Sequence, residues 1–267
     1  VKLLADEKFQ EAKEILLKLS HTFKKASYVR EQNYYDFDQM IEYFIFCENV
    51  DNAKNLKIKR YPEPVTYYMY QLSSIYQLEN NLEEAISALE EALNYNPRCQ
   101  YVMQKLVLLY DKVNRDEEAF ELIKESLKYA YTKEQLANAY QYIAYFYEKK
   151  KCYDIAIIAY LTSDNYRIKQ INKDLVNNLV EKNGKVNIQN MADVESIFAK
   201  YHLQHGVSFS VIKTINEFIQ YAKVIKDYET VLYLLNIAIE LTDDKYYKEQ
   251  LPIAQKLLKE KKQCKQK

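Results

Sequence analysis

The sequence predicts an all-α protein made of antiparallel helix-turn-helix pairs stacked into one continuous solenoid, with degenerate repeats at both ends. Three observations lead there. The set Met69, Leu72, Tyr76, Ala85 and Leu89 returns 34 residues later as Met103, Leu106, Tyr110, Ala119 and Ile123, and 37 residues after that as Tyr140, Ile143, Tyr147, Ala156 and Tyr160. Within each copy the members of one helix lie three or four residues apart, which is the period of a helix face rather than of a strand. The 267 residues also hold only two glycines and four prolines, too few for the many tight turns of a sheet protein or a loop-built active site.

Taken in order, residues 3–19 carry Leu3, Leu4, Phe9, Ala12, Ile15, Leu16 and Leu19 at helical spacing. Phe9, Ala12 and Leu16 match the start of the later second helices, so this reads as the second half of a repeat. Residues 23–34 and 37–50 predict a further helix pair, with Phe37, Met40, Ile41, Phe44 and Ile45 as its buried stripe. From Asp51 to Glu63 no stripe is visible. Pro62 and Pro64 are barred from a helix interior, and Pro64 suits a first turn, so a connection falls there.

From Val65 the repeat is plain. Met69, Leu72 and Tyr76 line a first helix; Leu82, Ala85, Leu89 and Ala92 line a second, which Pro97 stops. In the connection 127–136, Thr132 and Gln135 have the spacing of a capping box. Beyond Ser163, one stripe comprises Ile168, Ile171, Leu175, Val176 and Leu179, ended by Asn183-Gly184 as a cap. Met191, Val194, Ile197 and Phe198 form another, ending near Gly206. Residues 209–241 are a degenerate match at an offset of 75, in which Ile215, Phe218, Ala222, Tyr228 and Leu235 answer the third copy and Val231 replaces its alanine. A polar capping helix runs from Asp244 to Lys262, kinked or restarted at Pro252. The expected blocks are 1–61, 64–163 and 164–267 of one array.

The repeat resembles the tetratricopeptide (TPR) family, of bacterial type, on the small residue at Ala85, Ala119 and Ala156, the aromatic at Tyr76, Tyr110 and Tyr147, and the helix stop at Pro97. A methyl side chain lets the second helix approach the first, and the aromatic fills the wedge between pairs. The family's usual glycine is replaced by Ser73, Val107 and Ala144. The resemblance implies a right-handed solenoid whose concave groove binds a protein or peptide. The groove positions it implies are Tyr67, Tyr70, Ser74 and Gln77, then Tyr101, Lys105, Leu108 and Asp111, then Asn138, Gln141, Tyr145 and Glu148. Some relatives clamp a C-terminal carboxylate with Lys and Asn. Here only Lys105 is suitable, with Tyr70 and Gln141 at the flanking positions, so the clamp is not implied. Tyrosine is abundant, 27 residues, and gives a stiff contact surface with a hydrogen-bonding tip.

Other chemistries lack their residues. With glycine only at positions 184 and 206, no phosphate loop, dinucleotide fingerprint or nucleophile elbow can form. His202 and His205 would share a face on a helix, but no HExxH motif or cysteine pair accompanies them. Cys47, Cys99, Cys152 and Cys264 show no metal or disulfide spacing; Cys152, beside Lys149 to Lys151, reads as a surface thiol. Glu83-Glu84 and Glu90-Glu91 fall on an outer face. Lys plus Arg and Asp plus Glu are equal at 38, and the basic runs Lys54–Arg60 and Lys259–Lys267 read as solvated helix ends, against a nucleic-acid surface. No signal peptide or membrane-length apolar run is seen. The expectation is a cytoplasmic, non-enzymatic binding scaffold without cofactor, metal, nucleic-acid or membrane partner. The alternative is a peptide-sensing regulatory domain of a bacterial transcription regulator whose DNA-binding part lies outside this chain, which opens at Val1 rather than methionine.

Overall fold

The computed structural model describes residues 8–25, 34–49, 59–60, 63–184, 186 and 191–265. Among them are thirteen helices: α1 (Phe9–Lys25), α2 (Met40–Asn49), α3 (Val65–Leu78), α4 (Leu82–Tyr95), α5 (Gln100–Lys112), α6 (Asp116–Lys128), α7 (Lys133–Lys149), α8 (Tyr153–Asn165), α9 (Lys173–Asn183), α10 (Met191–Lys200), α11 (Phe209–Val224), α12 (Tyr228–Thr242) and α13 (Lys245–Lys265). The fold is all-α apart from a two-residue parallel bridge, β1 (Tyr34–Tyr35) with β2 (Lys59–Arg60). No helix among the described residues is long and apolar enough to cross a membrane. The chain forms two compact units, Val1–Leu122 and Ile123–Lys267.

The turns repeat more strictly than the side chains do. Helices α3, α5, α7 and α11 each end in a residue of left-handed backbone: Asn80 (φ 57°), Asn114 (φ 59°), Lys151 (φ 59°) and Lys226 (φ 57°). These four stand at the same offsets as the apolar pattern. In each, the next residue's N–H reaches back over five residues: Asn81 to Tyr76, Arg115 to Tyr110, Cys152 to Tyr147 and Asp227 to Ala222, at 2.8–2.9 Å. The left-handed residue itself donates to Gln77, Asp111, Glu148 or Lys223. This paired closure satisfies the orphan carbonyls of the helix end and reverses the chain in the three residues between one helix and the next. Asparagine and lysine occupy a position that glycine usually takes, which is how a chain with two glycines makes so many reversals. His202 (φ 54°) ends α10 in the same way, with Leu203 N donating to Phe198 O at 2.9 Å.

In the first unit α3 packs on α4, α4 on α5 and α1 on α3. Met69, Leu72, Ala85, Leu89, Ala92, Met103 and Leu106 are all 4% exposed or less, and Ser73 and Val107 are buried with them. Tyr76 is only half-buried, its ring under Lys13 Nζ at 4.7 Å. The start of α3 has no cap of its own from Pro64. Buried Asp36 supplies one from thirty residues upstream, its carboxylate accepting from Thr66 N at 2.9 Å while its own N–H donates to Tyr95 O at 2.8 Å. Glu42, also buried, accepts from Asp38 N, Gln39 N and Asn96 Nδ2, so one carboxylate caps α2 and holds the end of α4.

In the second unit α7 packs on α8, α8 on α9 and α10, α11 on α12, and α12 on α13. Ile143, Ala144 and Ala156 are fully buried, and Thr132 with Gln135 forms the expected capping box. The offset of 75 is close to two repeats because the pair α9–α10 intervenes. Ile215, Ala222, Val231 and Leu235 are buried as expected of the degenerate copy. Gly184 (φ 86°) caps α9 by donating to Val180 O at 2.9 Å.

Several expectations are corrected. Residues 34–35 are a strand and not the end of a helix over 23–34; Leu3, Leu4 and residues 26–33 lie outside the described residues. Ile15 (47%) and Met40 (45%) face outward. Ile168, Ile171 and Leu175 precede or open α9 and are exposed, so the expected stripe there reduces to Val176 and Leu179. Helix α13 runs unbroken from Lys245 to Lys265 through Pro252.

Two expected outcomes follow from this packing. Ala85→Leu and Ala156→Leu, at fully buried contacts, should each destabilise by about 1–3 kcal/mol through overpacking, whereas Val231→Ala should lose about 1–3 kcal/mol through a cavity. A neutral Ala85→Leu melt would remove the close α3–α4 approach. At the exposed left-handed Lys151, Lys151→Gly should stabilise by about 1 kcal/mol and Lys151→Val should destabilise, read from denaturant midpoints.

Candidate partner-binding surface

Helix periodicity places Tyr67, Tyr70, Ser74 and Gln77 along one side of α3, and Tyr101, Lys105, Leu108 and Asp111 along one side of α5. All are half-buried except Leu108, which is 47% exposed. The structure brings four of them together. The Tyr70 and Tyr101 rings meet edge to face, 5.0 Å between centroids and 85° between planes. Lys105 Nζ lies 4.0 Å from the Tyr70 ring centroid and donates to Ser74 Oγ, which itself donates to Tyr70 O at 3.0 Å. Tyr101 Oη donates to Asp38 Oδ2 at 2.6 Å.

The cluster follows from spacing. Tyr70 and Ser74, and likewise Tyr101 and Lys105, are four apart, so each pair shares one helix face. The ammonium is held by a ring face and a hydroxyl, and no carboxylate among the described residues pairs with it. Burial pulls it down to about 8. Burial, with Cys99 and Asp38 next to it, pushes the Tyr101 hydroxyl far above its usual value, so that it remains a donor. The neighbouring Cys99 thiol is likewise pushed up by its burial.

The remaining positions behave differently. Gln77 turns back on its own helix, its amide donating to Ser73 O at 3.2 Å, and Tyr67 lies beside Tyr68 with 6.5 Å between ring centroids. Asp111 closes the α5 turn through its carbonyl. In the second unit, Glu148 is occupied by the Tyr160 hydroxyl at 2.8 Å, and Tyr145 is 40% exposed with Lys149 Nζ 5.6 Å from its ring. Asn138 and Gln141 are brought together by Arg167, whose Nη2 donates to Asn138 Oδ1 at 2.8 Å and Gln141 Oε1 at 3.1 Å.

Asp38 and Arg167 are the two side chains of these surfaces that sequence reading missed. Asp38 sits just ahead of α2 and Arg167 in the loop after α8, where helical periodicity says nothing. His202 and His205 do not share a helix face. The first is in the left-handed turn after α10, and the second stacks on Phe198 at 5.2 Å. Among the described residues no group of three or more His, Cys, Asp or Glu is placed to hold a metal ion.

The lysine carries a pH signature. Because folding disfavours its protonated form, stability should rise between pH 8 and the unfolded lysine value near 10.4, where only the unfolded chain binds the proton. Lys105→Met should flatten that rise, and NMR of isotopically methylated lysines should show Lys105 titrating ahead of the others. A Lys105 transition at the ordinary lysine value would remove the desolvated ammonium.

No model of a known protein family matches this chain, and no curated protein is similar to it.

Proposed function

We propose that the chain is a non-catalytic scaffold of the tetratricopeptide kind that binds a peptide or partner protein along the half-buried polar edges of its first helices. The observation that carries this reading is the Tyr70–Tyr101–Lys105–Ser74 cluster. It joins two aromatic rings, a hydroxyl and an ammonium without a carboxylate partner, on one side of helices whose opposite sides build the core. Tyrosine rings offer contact area at little conformational cost, and a partly desolvated cation strengthens any acceptor placed on it. The recurrent turn closure supports the repeat on which the reading rests, since it gives α3, α5, α7 and α11 the same exit. The cytoplasmic setting is carried by the cysteine spacing, which favours no disulfide framework.

The test is to replace Tyr70 and Tyr101 with alanine together and compare proteins captured from a native extract by quantitative mass spectrometry. Specific partners should fall away while the helical circular dichroism spectrum stays as in the parent. Unchanged capture by a fully helical double variant would take this surface out of the account.

A further inference from the structure

The stretch from Tyr166 to Leu175 departs furthest from its apolar pattern. Ile168 is 105% exposed, Ile171 58% and Leu175 37%, so three aliphatic side chains stand in water within eight residues. The loop that presents them is pinned. Buried Asp164 accepts from Ile171 N and Asn172 N, both at 3.1 Å, and from Asn172 Nδ2 at 2.9 Å, while Asn172 Nδ2 also reaches Tyr160 O at 3.4 Å.

The same loop carries Arg167, Lys169 and Lys173 against a single acid, Asp174. Arg167 is held against α7 by two neutral oxygens, those of Asn138 and Gln141, and both bind Nη2. Among the described residues no carboxylate pairs with Arg167, Lys169 or Lys173, and Nη1 reaches the surface without a hydrogen-bond partner. Nε is buried without one. A guanidinium oriented by neutral acceptors, with donors to spare, is arranged for an anion from outside.

We infer that this loop docks a peptide segment that alternates acidic and aliphatic side chains: a carboxylate pairs with Arg167, and the aliphatic residues cover Ile168, Ile171 and Leu175. Three cations need more than one negative charge, which a segment carries and a single terminal carboxylate does not. A lipid surface is the poorer fit, because it is met by mobile lysines, whereas this arginine is fixed half-buried by two amides. The inference shares Asn138 and Gln141 with the surface proposed above and rests on that reading only in treating the chain as a peptide binder.

The test is fluorescence anisotropy of the whole chain with a labelled peptide of alternating Asp, Leu, Glu and Ile, beside its Asn/Gln counterpart. The acidic peptide should bind, weaken as salt is raised, and exceed its amide counterpart roughly tenfold or more, and Arg167→Met should remove about that same factor. Arg167→Lys, which keeps the charge and loses the fork, should fall between the two and serves if Arg167→Met proves unfolded by circular dichroism. Equal binding of the two peptides, parent-like binding by folded Arg167→Met, or binding to phosphatidylserine vesicles but not to the peptide would each overturn the inference. A Tyr70→Ala/Tyr101→Ala variant separates the two surfaces. If it loses the peptide while Arg167→Met does not, the α3–α5 surface stands and this one falls. If only Arg167→Met loses it, the peptide belongs to the Arg167 loop.

Discussion

The turn that ends α3, α5, α7 and α11 is the constraint on which the rest depends. A residue at positive φ, followed by an N–H that reaches back to Tyr76, Tyr110, Tyr147 or Ala222, sends the chain into the next helix across a three-residue connection. So short a reversal lays the second helix back against the first, and the residue at the facing position is fully buried whether it is alanine, at Ala85 and Ala156, or valine, at Val231. The carbonyl that accepts the closing bond belongs to Tyr76, Tyr110, Tyr147 or Ala222, each a member of the recurring apolar set, so the sequence pattern and the backbone reversal coincide at one residue. Once the second helix is docked, the polar edge of the first has only one direction to face.

The abundance of tyrosine has a structural side. Its hydroxyls tie elements to one another: Tyr101 to Asp38, Tyr110 to Glu90, Tyr160 to Glu148, Tyr201 to Asp154 and Tyr247 to Asn216. Fully buried Tyr140 packs on Phe198 and Tyr166, and its hydroxyl accepts from Gly206 N at 2.7 Å, which fixes the loop ahead of α11. An aromatic ring fills the space between helices and its polar tip pairs at the rim, where an apolar side chain would leave a polar neighbour unsatisfied. Tyr70, by contrast, offers its ring face to Lys105, and its ring stands nearly perpendicular to that of Tyr101.

Charge is distributed on the same logic. The chain is neutral overall, yet its cations are not all matched locally. Lys13 pairs with Glu79 and Arg115 with Glu118, whereas Lys105 rests on a ring and a hydroxyl and Arg167 on two amides. Lys105 and Arg167, one in each unit, both touch half-buried residues placed on one edge of a first helix by periodicity alone.

The sequence by itself determined the helix pairs from residue 65 to 163, their register, the capping box at Thr132, the cap at Gly184 and the degenerate copy around Val231. These depend on spacing within some forty residues, and a helix face is a local property. It also marked Tyr70, Ser74, Tyr101 and Lys105, because i, i+4 neighbours follow from periodicity. Tertiary structure decided the rest. Residues 34–35 pair with 59–60, and Asp36 caps α3 from thirty residues away, neither of which leaves a periodic trace. Ile168 and Ile171 look like part of a stripe in the sequence, but Asp164 gathers the N–H groups of Ile171 and Asn172 into a loop, and a loop has no buried face; Leu175, in the first turn of α9, is exposed with them. Arg167 acquires its meaning only there, because the amides that orient it sit on another helix.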